Sequence, residues 1–301
     1  DRDSYYGPGN DPLKAYGKTT DLTAMGGAQY VHTFDKCFFM PSDLTAGLEY
    51  NRDRLKDNMW GYNRDTDQTV NIYSAFLQNE WKNDRWGILI GGRLDKHNMV
   101  DNVIFSPRAN LRFNPTQNIN LRLSYSSGFR APQAFDEDMH IENVGGTVAM
   151  IQSFSVSADM YHRFGAFQTN LLIEGFYTRL TDVFVLGKPF DRGDGILVKT
   201  RSNGPGAKVM GLTLEGKVAY LSILQIQAGL TLQRSRYDEP HKWHDDAPAE
   251  KKIFRTPDTY GYFTATCTPI KPLSIALSGT YTGRMLVQRM DITAENAELG
   301  K

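Results

Sequence analysis

The chain has 301 residues with 34 basic and 34 acidic side chains, so its formal charge is zero; a neutral chain offers no electrostatic footprint for nucleic acid. Hydrophobic residues make up 40% of it and mean hydropathy is -0.46, and no window approaches the ~20 consecutive apolar residues of a membrane-spanning helix. Helical spans are excluded, whereas strand spans stay open, because an apolar residue at every second position leaves the average polarity ordinary.

Strand-like alternation is predicted from about Asp21 onward, after a short polar stretch. Ala109, Leu111 and Phe113 then alternate with Arg108, Asn110 and Arg112, and Ile119, Leu121, Leu123 and Tyr125 with Asn120, Arg122, Ser124 and Ser126. Successive side chains leave opposite faces of a strand, so each run has one apolar and one polar face. The pattern continues with Phe154, Val156, Ala158 and Met160, with Leu212, Leu214 and Val218, with Leu224, Ile226, Leu230 and Leu232, and with Leu273, Ile275, Leu277 and Tyr281. About a dozen runs fit the two-residue period.

The gaps between runs alternate in length. Short turns are predicted at Asn83-Asp84, Asn114-Pro115-Thr116-Gln117, Phe164-Gly165-Ala166, Leu221-Ser222-Ile223 and Thr268 to Pro272. Longer polar stretches lie at roughly Asn51 to Asp67, Gly128 to Gln152, Leu186 to Gly206 and Ser235 to Arg255, beyond the usual hairpin loop of ~2–5 residues. Tight turns at one end of a meander and long loops at the other is the habit of outer-membrane barrels, whose long loops face outside. The predicted fold class is therefore all-β, an antiparallel transmembrane β-barrel meander. Tyr30, Tyr50, Trp60, Trp81, Trp86, Tyr125, Tyr177, Tyr220 and Tyr281 fall near strand ends, where interfacial girdles place them.

The residues already quoted resemble the mid-barrel segment of TonB-dependent outer-membrane receptors. The resemblance rests on Ser106 to Leu111, on Leu121 through the Gly128-Phe129-Arg130-Ala131-Pro132 motif to Asp138, on Asn203 through Glu215, and on Tyr281-Thr282-Gly283. It is most like receptors of the Bacteroidetes type, in the branch with colicin-I-type siderophore receptors and haem receptors. What the resemblance implies is a barrel of about twenty-two strands in the outer membrane of a Gram-negative bacterium. Such a barrel is filled by a plug and imports a scarce nutrient, a ferric siderophore first, with energy from TonB. Haem uptake and a passive porin are the alternatives. This chain, lacking a plug, a TonB box and an aromatic-ended last strand, reads over 1–301 as about twelve strands of that barrel. The Gly146 to Gln152 stretch is shorter than the family's.

Candidate ligand residues follow from charge and loop position. Arg108, Arg112 and Arg122 share one face and would focus field on an anionic iron chelate, or pair structurally with acidic groups of a plug or neighbouring strand. Arg130 touches ligand or holds the loop whose direction Pro132 fixes. His140, His241 and His244, with Trp243 between the latter two, lie in long loops where an axial ligand would reach haem; His32, His97 and His162 read as wall residues. The Asp136-Glu137-Asp138 run reads as a solvated loop. Cys37 and Cys267 form no framework. No cofactor and no metal site is expected, only a transported chelate, and the expected partners are lipid, that chelate and TonB through a plug outside this chain. An enzyme is not expected: Asp238, Glu239 and His241, or His244, Asp245 and Asp246, are merely sequence neighbours, and no nucleophile elbow is present.

Overall fold

A computed structural model describes residues 2–5, 16–59, 64–132, 141–144, 148–187, 190–191, 193, 197–242, 248–290 and 297–300. In chain order its strands are β1 (Arg2–Tyr5), β2 (Tyr16–Cys37), β3 (Met40–Met59), β4 (Arg64–Lys82), β5 (Trp86–His97), β6 (Ile104–Thr116), β7 (Ile119–Arg130), β8 (Ile141–Val144), β9 (Ala149–Phe164) and β10 (Phe167–Thr181). There follow β11 (Phe184–Leu186), β12 (Phe190–Asp191), β13 (Leu197–Asn203), β14 (Ala207–Tyr220), β15 (Leu224–His241), β16 (Glu250–Lys252), β17 (Thr259–Ile270), β18 (Leu273–Thr282), β19 (Val287–Met290) and β20 (Ala297–Gly300). No helix among the described residues is long and apolar enough to cross a membrane.

Fourteen strands form one sheet in the order β1-β2-β3-β4-β5-β6-β7-β9-β10-β14-β15-β17-β18, with β16 beside β15. Every pairing in it is antiparallel. Twelve of these strands are long, as the alternation predicts. One expectation is corrected at the start: β1 pairs with Tyr16 to Thr19 of β2, so the sheet begins well before Asp21.

Local chemistry explains the tight turns at one end. Asn83 bends the chain between β4 and β5 by accepting the backbone N–H of Arg85 (2.9 Å) and Trp86 (2.7 Å) on its side-chain oxygen, an Asx-type turn. Gly165 takes φ +57° between β9 and β10, a left-handed conformation that costs glycine nothing. The turn between β2 and β3 uses Phe38 at φ +62°, without any turn residue that sequence would flag.

At the other end, the predicted long stretches are shorter than expected. Asn51 to Met59 and Arg64 to Asp67 are paired strand, not loop. Likewise Gly128 to Arg130 belongs to β7 and Ser235 to His241 to β15. Leu186 to Gly206 contains β12 and β13, and β13 pairs in parallel with β8 and antiparallel with β11 and β12.

The two faces are as distinct as the alternation requires. Leu48, Leu77, Leu123, Val156, Leu212, Leu230 and Leu277 stand on one face, all exposed, with Leu48 at 67% and Leu277 at 61%. Tens of exposed leucine, isoleucine, valine and aromatic side chains on one face of a sheet is far more than a water-facing surface carries. Aromatic pairs border that apolar zone. Near the short turns lie Phe39–Trp81 (5.6 Å), Trp86–Phe113 (4.3 Å) and Phe167–Tyr220 (4.7 Å); toward the far end lie Tyr50–Tyr73 (4.9 Å) and Tyr125–Phe154 (4.7 Å). From Phe154 to Phe164 the chain rises ~33 Å along the strand, or ~25 Å at the usual tilt, which matches the apolar band of an outer-membrane barrel.

Candidate functional site

The opposite, polar face holds the chemistry. Its most highly connected group is Arg93 on β5, whose guanidinium forks onto Glu49 of β3 at 2.9 and 3.3 Å. Its Nε donates to Asp95 (2.8 Å) and its Nη2 to the Ser74 hydroxyl of β4 (2.7 Å), and Ser74 in turn donates to Asp95 (2.6 Å). Register brings them together, since Glu49 lies opposite Ser74 and Ser74 opposite Asp95. Asp95 is 1% exposed and Ser74 is also buried, so this carboxylate owes its solvation to two donors rather than to water.

A cavity of about 500 Å³ opens beside the network, lined by Gln29, Glu49, Gln78, Arg93, Arg108 and Ser126 among others. Arg108 is exposed on β6, with no hydrogen-bond or ion-pair partner among the described residues. A cationic donor facing an open polar cavity can accept a ligand anion without first breaking an internal pair.

The other predicted arginines behave differently. Arg112 lies opposite Arg122 in the β6–β7 ladder, and its Nη2 donates to the backbone oxygens of Asn83 (3.0 Å) and Trp86 (3.4 Å), fastening the neighbouring turn. Arg122 donates to Asn120 on its own strand at 2.8 Å. Both flank a smaller cavity of about 300 Å³ near the short turns. Thus the three arginines share a face, but only Arg108 borders the cavity beside the Arg93 network.

The Gly-Phe-Arg-Ala-Pro motif completes β7. Gly128, Phe129 and Arg130 pair with Ile151, Met150 and Ala149, after which Ala131 and Pro132 are buried. His241 ends β15 opposite Glu250; its ring lies 5.7 Å from that of Tyr237, and burial pushes its pKa below the usual imidazole value. His140, Trp243, His244 and the Asp136-Glu137-Asp138 run lie outside the described residues. His32 and His162 sit on the apolar face against Phe34 and Phe164. His97 is fully buried and accepts the Met99 N–H on Nδ1 at 3.1 Å. Among the described residues no three metal-binding side chains gather, and Cys37 and Cys267 are free thiols.

Sequence reasoning missed the Arg93 network. One signal was available: Arg93 and Asp95, two apart on a strand, must share a face. Glu49 and Ser74 are joined to them only by register.

An antiparallel meander with a girdled apolar face, a polar face lined with charge, and turns sorted by length defines the wall of a transmembrane β-barrel. A family model described as "TonB dependent receptor-like, beta-barrel" matches residues 1–288, and the chain belongs to that family. Its members are transport receptors of the outer membrane of Gram-negative bacteria. Among solved structures it is similar to the siderophore receptor PirA from Acinetobacter baumannii, at 15% identity and a TM-score of 0.66, over 92% of this chain and 44% of that one. It is similar also to a variant of the ferric enterobactin receptor PfeA from Pseudomonas aeruginosa (17%, TM-score 0.67, 90% and 42%). The FrpB iron transporter from Neisseria meningitidis is a third (13%, TM-score 0.66, 90% and 44%). The chain thus spans less than half the length of these receptors, and at such identities the likeness establishes the fold. No curated protein matches the sequence.

Proposed function

We propose that the chain is wall and outer mouth of an outer-membrane receptor that binds a ferric siderophore and imports it with TonB-supplied energy. In this reading the plug and the TonB contact belong to a part of the receptor outside residues 1–301. The observation that carries the ligand class is Arg108, a cation with no partner among the described residues on a 500 Å³ polar cavity, which suits an anionic chelate; iron and siderophore receptors share the fold. Arg130 and the buried motif behind it frame the mouth at the same end of β7. Arg112 and Arg122 stabilise the wall in this reading.

Haem uptake is the second reading, because burial lowers the His241 pKa and so favours the neutral imidazole that binds iron. His140, Trp243 and His244 would be its further contacts. Titration of the full-length receptor in detergent with ferric catecholate and with haem, read by fluorescence quenching, separates the two. Ferric-chelate binding that weakens ~10- to 100-fold in Arg108→Ala, as loss of one charge-assisted contact predicts, supports the first reading. Saturable haem binding lost in His241→Ala, His140→Ala or His244→Ala, with no chelate binding, replaces it with the second.

A further inference from the structure

Read upward from its short turn, the apolar face of β3 carries Leu44, Ala46, Leu48, Tyr50, Arg52, Arg54 and Lys56. The apolar half of that column is not flat. Tyr30, Leu48, Leu77, Leu94 and Phe105 stand out as exposed ridges on five adjacent strands. Ala28, Ala46, Ala75 and Gly92 lie between them, leaving a groove of about 810 Å³.

The Tyr50–Tyr73 ring pair closes the upper end of the groove and marks the level where lipid meets water. Arg52 follows one rung higher, about 7 Å along the strand, at headgroup depth. Arg54 and Lys56 both reach a single carboxylate, Asp67 of β4, at 3.3 and 3.4 Å. Arg52 is exposed, with no ion-pair partner among the described residues. Lys96, opposite Tyr73 on the same face, adds a further cation that is held by the carbonyls of Val100 (3.0 Å) and Asp101 (2.6 Å). The other carboxylate on this face of the hairpin, Asp65, lies beyond Lys56.

An excess of cations stacked directly above an apolar groove is complementary to a molecule with acyl chains below and phosphate above. Arg52 offers its whole fork of donors, and Arg54, two residues on, has its Nε and Nη2 on Asp67 at 3.5 and 3.3 Å and its remaining N–H groups to share a phosphate held at Arg52. We propose that this face of β2 to β6 binds a phosphorylated, multi-chain lipid of the outer leaflet, with acyl chains in the groove and a phosphate held by Arg52 and Arg54. The site rests on the outer-membrane reading but not on the identity of the imported ligand.

Native mass spectrometry of the full-length receptor in detergent, titrated with bis-phosphorylated lipid A and with its dephosphorylated form, tests the proposal. Wild type should retain the phosphorylated lipid, and Arg52→Ala/Arg54→Ala should weaken it about 30-fold, roughly 5-fold per basic residue at a membrane surface. Arg52→Lys/Arg54→Lys, which keeps the charge and loses the forks, should fall between. Ala46→Phe/Ala75→Phe, which fills the groove, should weaken both lipids. Heat-modifiable electrophoretic mobility confirms that each variant is folded. Equal retention of the two lipids, no change in the alanine variant, or a second receptor copy in place of lipid overturns the proposal. Ferric-chelate titration of the same samples should be unaffected by these substitutions, and its failure in wild type would count against the import reading alone.

Discussion

Replacing Arg93 with methionine removes four hydrogen bonds at once, two to Glu49, one to Ser74 and one to Asp95. The consequences for the two acids differ because their burial differs. Glu49 is 30% exposed as a side chain and recovers water, whereas the Asp95 side chain is 2% exposed and keeps only the Ser74 hydroxyl. Stranding a buried charge costs about 3–5 kcal/mol, and the partial exposure of Arg93 itself places this case near 3 kcal/mol. Neutralising the stranded acid should return most of the loss, so Arg93→Met/Asp95→Asn should lie within about 1–2 kcal/mol of wild type. Guanidinium unfolding of the purified full-length receptor, followed by tryptophan fluorescence, measures each corner of the cycle. A single variant within about 0.5 kcal/mol of wild type, or a double variant as unstable as the sum of the singles, would refute the argument that Asp95 depends on Arg93.

Further expectations follow from other sites. Asp53, beyond the Tyr50 girdle, has its pKa pushed up to about 6 by burial and by the neighbouring Asp21; a raised carboxyl pKa means the folded state holds the proton longer, so stability is greatest below about pH 4 and falls as pH rises toward 6. Asp53→Asn should flatten that slope and raise stability at pH 8 while leaving pH 4 little changed, which unfolding at the two pH values checks. A side chain at Gly47 would drive its Cβ into the Phe76 ring, so Gly47→Val should cost about 1–3 kcal/mol and Phe76→Leu should restore part of it, read as guanidinium midpoints. Arg112→Ala should leave ferric-chelate affinity unchanged in the quenching titration and cost about 1 kcal/mol of stability through the loosened turn, the reverse of the pattern expected for Arg108→Ala.

The polar stretches show why the sequence underestimates strand length. Alternation identifies a strand only where one face meets an apolar medium, and Arg52 to Asp57, beyond the Tyr50 girdle, carries charged side chains on both faces. Such a segment reads as loop although its backbone is fully paired. The Phe38-Phe39 turn hid for the opposite reason, since two consecutive aromatics look like strand. Within the site, Arg108, Arg112 and Arg122 were visible because they repeat on one face. What distinguishes them is register: Arg112 meets the carbonyls of a turn formed by other strands, whereas Arg108 meets a cavity. The Arg93–Glu49 pair, 44 residues apart in sequence, becomes neighbours only through two sheet pairings. The parallel contact of β8 with β13 likewise joins two separate loops and carries no local signature.

The β3–β4 hairpin stays fully paired from Tyr50 up to Met59 opposite Arg64, about 30 Å of hydrogen-bonded ribbon beyond the girdle. A paired ribbon bends far less than an unpaired loop of the same length, so this side of the rim works as a fixed parapet. The β7–β9 and β10–β14 connections, by contrast, touch through only a few β8–β13 rungs among the described residues, a contact that can part at little cost.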